Sequence, residues 1–126
     1  MEVVFNNGLS ASSSYTDGGV RFKKITYSNR ANWRFVPMPW ANEVEAWNWF
    51  VTHDGEKYDD VGVMKILFGL LRRKDKNRRH CSAACMAALG YDDRTAHMIM
   101  PPLAYTLLMQ RLHEYDWSTR GEQNAA

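Results

Sequence analysis

The hydrophobic periodicity changes near residue 42, and that change limits the folds open to the chain. Before it, short apolar segments are separated by glycine turns; after it, apolar residues recur at helical spacing. Glu2-Val3-Val4-Phe5 reads as a short strand closed by the turn signal Asn6-Asn7-Gly8. Asp17-Gly18-Gly19 marks a second turn, and Val20-Arg21-Phe22-Lys23-Lys24-Ile25 alternates as a strand with one wet face does. Asn32 to Pro39 reads as a third extended segment, and its prolines assign it to a sheet edge or to a strand that is ending. From Asn42, which is placed to cap a helix with Glu45 three residues on, Val44, Trp47 and Val51 form an apolar stripe ended by Gly55. Asp60 is placed to cap a second helix with the stripe Met64, Leu67, Phe68 and Leu71. A short alanine-rich helix runs from Cys81 to Gly90, and Pro101-Pro102 start a last one carrying Leu103, Leu107, Leu108 and Leu112. Strands first and helices after predict an α+β domain over residues 1–117, with 118–126 as a polar, flexible tail.

A chain of 126 residues is long enough to bury one real core. No apolar run approaches the roughly 18 residues of a membrane span, and no secretory pattern precedes the first strand, so the chain reads as soluble and not exported by the common route. The two cysteines, Cys81 and Cys85, lie four apart on one helix, where disulfide geometry is poor, so both are expected reduced. The net charge of +2 argues against nucleic acid as the main partner. The charge is uneven, however: Arg72 to Arg79 carries six cations in eight residues, which reads as an exposed solvated loop or a patch for a polyanion.

The residue that carries chemistry is Cys81. A thiol in the first turn of a helix faces unpaired N–H groups and the positive end of the dipole, both of which favour a thiolate. The competing reading is a small buried hydrophobe, the usual state of a free cysteine. A thiol hydrolase also needs an imidazole and donors for an oxyanion. The four histidines are His53, His80, His97 and His113. His80 is next to Cys81 in sequence, His53 ends a helix, His97 falls in the loop before Pro101, and His113 is near the end of the last helix. Each reads more readily as a surface or loop residue than as a catalytic one. No ligand spacing of the zinc type is present, so neither a metal nor another cofactor is expected.

The order of motifs resembles the permuted NlpC-type papain-like cysteine peptidases of bacteria and tailed phages. The residues that carry the likeness are the first strand, Asp17-Gly18-Gly19-Val20-Arg21, the Trp-rich helix, Tyr58-Asp59-Asp60-Val61-Gly62, Cys81-Ser82 and the Pro-initiated helix. The resemblance extends from Glu2 to about Leu112. It implies a papain-like fold with Cys81 as nucleophile, Glu2 as the glutamate two residues past the catalytic histidine, and Tyr58 as a residue lining the site. Two departures accompany it. Ala83 stands where the family carries glutamate, and the position of the histidine falls directly before Met1. The implied activity is thiol-dependent hydrolysis of peptide or peptidoglycan amide bonds. The alternative is an inactive papain-like module serving a structural or interaction role, for example in a phage virion. The implied setting is bacterial or phage-infected cytoplasm or the virion, with partners to match.

Overall fold

The computed structural model describes residues 1–59 and 78–125. The fold is mixed α+β. Five strands, β1 (Val3–Val4), β2 (Ser10–Ser14), β3 (Gly19–Lys23), β4 (Lys57–Tyr58) and β5 (Arg78–Arg79), form one sheet in chain order. Neighbours are antiparallel except β4 and β5, which are parallel. Four helices occur among the described residues: α1 (Glu43–His53), α2 (Cys81–Ala88), α3 (Asp93–Met98) and α4 (Pro101–Ala125).

β2 reads Ser-Ala-Ser-Ser-Ser and lacks the β-branched and aromatic residues that mark strands, yet it is the most buried strand of the sheet. Its hydroxyls are satisfied at long range. Ser10 bonds Tyr27 Oη at 2.6 Å, Ser12 donates to the Met1 carbonyl at 2.6 Å, and Ser13 donates to the Arg79 carbonyl at 2.5 Å. The last bond reveals the shape of the sheet. β2 and β5 are separated by two strands, so a flat sheet would hold them about 14 Å apart. A direct hydrogen bond requires the sheet to curl, and it curls around α2.

The close approach at the β3–β4 edge depends on Gly19. Its φ is +144°, and a Cβ there would lie 1.9 Å from the Glu56 carbonyl oxygen. That carbonyl accepts from Val20 N at 2.7 Å, so any side chain at 19 would displace the pairing.

α2 is buried on every side, with all residues from Ser82 to Ala88 inaccessible or nearly so. That explains its alanines, since small side chains let neighbouring elements approach a central helix from several directions. Ala84, Cys85 and Ala88 face a core formed with Val3, Phe5, Ala11, Val20, Ala46 and Phe50. Met86 and Ala87 face a second core with Ala96, Ile99, Ala104 and Leu108. Phe5 meets Trp47 and Phe50 edge-on at 5.1 and 6.2 Å, which locks β1 to α1.

Several sequence expectations are changed here. Asn42 does cap α1, accepting from Glu45 N at 3.1 Å, and Trp47 packs on the core as its stripe predicts, but the fully buried face is Ala46 and Phe50, while Val44 and Val51 are exposed. Residues 33–38 are extended in part without joining the sheet, and follow a 3-10 turn at Arg30–Asn32. On α4, Ala104 and Leu108 are buried whereas Leu103 is exposed. The helix continues to Ala125, past Ser118 where the sequence reads a tail. The second expected helix, with Asp60, Met64, Leu67, Phe68 and Leu71, lies outside the described residues, as does the basic run up to Asn77. Arg79 departs from the solvated loop expected for that run: it belongs to β5 and is 2% exposed.

Candidate functional site

Cys81 is the first residue of α2 and is half-buried. Its helix is capped by His80, whose Nδ1 accepts from Ala83 N at 3.2 Å. His80 Nε2 lies 3.0 Å from the His97 carbonyl, which only accepts, so the network assigns the neutral Nε2–H tautomer. Ser82 Oγ donates to the Ile99 carbonyl at 2.5 Å and fixes the same turn from the other side.

The Met1 amino group lies near the thiol of Cys81, which helps to raise the pKa of that amine. That proximity brings the residue before Glu2 close to the nucleophile candidate. Burial opposes the charge on this amine. The nearby Cys81 and Glu2 outweigh it and hold the amine above its ordinary pKa. Met1 is positioned by Ser12, which takes its carbonyl. The Cys81 end of α2 therefore meets the start of β1, and this is the arrangement a site shared by the two elements requires.

Glu2 lies beside this junction, with its carboxylate already engaged. Arg21 donates to it from both terminal nitrogens, at 2.8 and 2.7 Å, and also reaches Asp17 at 2.9 Å. These bonds hold the Arg21 guanidinium above its ordinary pKa, with the Glu2 bonds the largest cause. The hydrogen bonds from Arg21 and Lys23 hold Asp17 below the usual carboxylate range. Tyr58 is placed elsewhere, on β4 opposite Arg79, with its ring edge-on to Tyr15 at 5.8 Å. Thus Met1 and Cys81 are brought together with Glu2 alongside, while Tyr58 packs at the β2–β3 turn.

Cys85, one turn deeper, is fully buried, 3.7 Å from Ser12 Oγ and 3.9 Å from the Ala11 carbonyl. Burial pushes its thiol up to about 12, against partial relief from the Met1 amine and Ser12. It is a core residue.

The histidines correct the expectation of surface or loop positions in two cases. His80 and His97 are each 1% exposed. His97 lies on α3, where its Nδ1 donates to the Asp93 carbonyl at 2.7 Å. Asp92 caps this helix by accepting from Thr95 N at 3.1 Å, a capping signal present in Asp92-Asp93-Arg94-Thr95. His53 stacks on Trp49 at 3.9 Å, and His113 is exposed on α4.

Arg79 anchors the approach to the site. Its guanidinium bonds Glu56 at 2.7 Å and Asp93 at 2.9 Å and lies 5.0 Å from the Trp49 ring centre. Burial disfavours the charge, but Asp93 and Glu56 outweigh it and raise the pKa. Its carbonyl also accepts from Asp59 N and Ser13 Oγ. β5 is thereby fixed two residues before Cys81. Sequence reading missed both Arg79 and β2, because their partners lie 11 to 66 residues away.

A pocket of about 530 Å³ opens beside Met1, between β1, residues 32–38 and the start of α4. Among the described residues, no group of three or more His, Cys, Asp or Glu side chains is arranged to hold a metal. No described helix is long and apolar enough to cross a membrane. No protein-family model, curated protein or solved structure matches this chain significantly.

Proposed function

We propose that this chain is a papain-like domain of the permuted NlpC type and that Cys81 is the nucleophile of a thiol-dependent hydrolase. The observation that carries the reading is the half-buried thiol of Cys81 at the N-terminus of a buried helix, near the start of the chain segment that leads into β1. The resemblance puts the catalytic histidine directly before Met1, and a residue at that position would continue from an amine near the thiol.

In the proposed reaction, Sγ attacks the carbonyl carbon of an amide or ester, and the carbonyl electron pair moves onto oxygen. His80 uses its ring nitrogen on Ala83 N–H and its carbonyl on Ala84 N–H, the latter at 3.0 Å. That leaves the N–H groups of Cys81 and Ser82 to hold the oxyanion. With a histidine directly before Met1, its imidazole would take the thiol proton and return it to the leaving group, and water would then cleave the thioester; in this exact chain hydrolysis is expected to be weak or absent. Peptide or peptidoglycan amides are the substrate class, and Glu2, just before β1, stands two residues past the position of that histidine.

A second reading is a binding or structural module without catalysis, such as a virion component. The bidentate pairing of Glu2 with Arg21 favours it, because that carboxylate is already committed.

The test is to extend the chain by a short strand-forming segment ending in histidine directly before Met1. Peptide, ester and peptidoglycan substrates are then assayed. Hydrolysis above that of the unextended chain, abolished by Cys81→Ala, is expected. A folded but inert extended protein would support the module.

A further inference from the structure

The pocket beside β1 has aromatic and aliphatic walls, including Val4, Trp33, Phe35 and Leu108. Tyr27 sits edge-on to Trp33 at 4.7 Å and to Phe35 at 5.3 Å, so this wall is held rigid by ring contacts. Its volume of about 530 Å³ suits a small organic molecule.

Two charged side chains line it, Glu2 and Arg34, and Met1, whose charged amine lies near Cys81 and Glu2, borders it. Glu2 is neutralised by the two bonds from Arg21. Arg34 is exposed, and no ion pair or hydrogen bond engages its guanidinium among the described residues. The pocket therefore combines an apolar interior with one cationic side chain, Arg34, that no described partner engages. A neutral apolar ligand would leave that cation unused, and a cationic ligand would meet it as a like charge.

We infer that this pocket binds a small organic acid with an apolar body, the body between Phe35 and Leu108 and the anionic group on Arg34. The inference does not require Cys81 to act as a nucleophile, since Arg34, Phe35 and Leu108 take no part in that step, although Met1 and Glu2 border both places.

Decanoate and decanol, which share a chain and differ in charge, are the probes, titrated below aggregation concentration into the full chain by calorimetry and by Trp fluorescence. Decanoate is expected to bind at one saturable site, more tightly than decanol. Arg34→Gln should weaken decanoate about fivefold, the upper range for an exposed ion pair, and leave decanol unchanged. Val4→Trp, at a 48% exposed position on the pocket wall, should fill the pocket and weaken both probes without unfolding the chain, as checked by circular dichroism. Decanol binding as tightly as decanoate, an unchanged Arg34→Gln variant, Val4→Trp binding like the parent, or no saturable site for decanoate would each overturn the proposal.

Discussion

Replacing Arg79 by methionine keeps the aliphatic stem in place and removes the guanidinium from its two carboxylates and from Trp49. The magnitude follows from exposure. The Arg79 side chain is 3% exposed, so its own charge is fully desolvated in the fold. Glu56 and Asp93 are 24% and 39% exposed, so water recovers part of what each loses. Breaking a fully buried pair costs about 3–5 kcal/mol and a surface pair about 0–1. The geometry lies between these limits, nearer the buried one, which gives a destabilisation of about 2–3 kcal/mol. For a chain of this length that is a fall in Tm of about 8–12 °C. Thermal and urea unfolding monitored by circular dichroism read it directly. The double variant Arg79→Met with Asp93→Asn should lose less than the sum of the two single variants, since they share one contact. A loss below about 0.5 kcal/mol in Arg79→Met would refute the view that this cluster holds β5 and the start of α2 in place.

Three further outcomes follow from the geometry. Gly19→Ala should destabilise by more than about 3 kcal/mol or prevent folding, because strain at positive φ adds to a backbone clash with Glu56; urea midpoints measure it, and a near-neutral variant would contradict the close approach. Cys85 is held neutral in the fold up to about 12, while an unfolded thiol ionises near its ordinary value of 9.0. The stability it contributes is therefore complete below pH 9 and is lost as pH rises from there toward 12, at about 1.4 kcal/mol per pH unit. Urea unfolding at pH 9 to 11 should show that slope reduced in Cys85→Ala, and identical slopes would contradict it. His80→Ala should cost about 2–3 kcal/mol through the lost cap and the orphaned His97 carbonyl, and His80→Asn should recover the cap portion; equal losses in the two variants would refute the capping role.

Elements whose signals are local were legible in the sequence. Asn42 and Glu45 announce the start of α1, Gly90, with φ of +100°, closes the turn after α2, and Pro101 opens α4. β1 and β3 also show themselves through apolar residues and flanking glycines. β2 does not, because a serine strand is buried only when distant partners take its hydroxyls, and Met1, Tyr27 and Arg79 are far along the chain. The same reason hides the role of Arg79, which sequence alone places in a solvated basic run. Of the apolar stripe on α1, Trp47 does pack against Phe5, but Val44 and Val51 face outward, because both faces of that helix carry apolar residues and tertiary packing selects the one with Ala46 and Phe50. At the site, the position of Cys81 at a helix start was readable from Cys81-Ser82-Ala83-Ala84. The engagement of Glu2 by Arg21 was not, since it depends on the register that sets Arg21 opposite Ser12 and brings β1 alongside.

The claim that Cys81 is a nucleophile while Cys85 is a core residue is tested most directly by their native alkylation rates. Iodoacetamide is added to the folded chain near pH 7, and modification at each cysteine is followed by peptide mass spectrometry. Cys81 is half-buried at a helix N-terminus, whereas Cys85 is fully enclosed with its thiol pushed up to about 12. Cys81 is predicted to react at least about a hundredfold faster, with Cys85 modified only after unfolding. Equal, slow modification of both cysteines in the native state would contradict the nucleophile assignment.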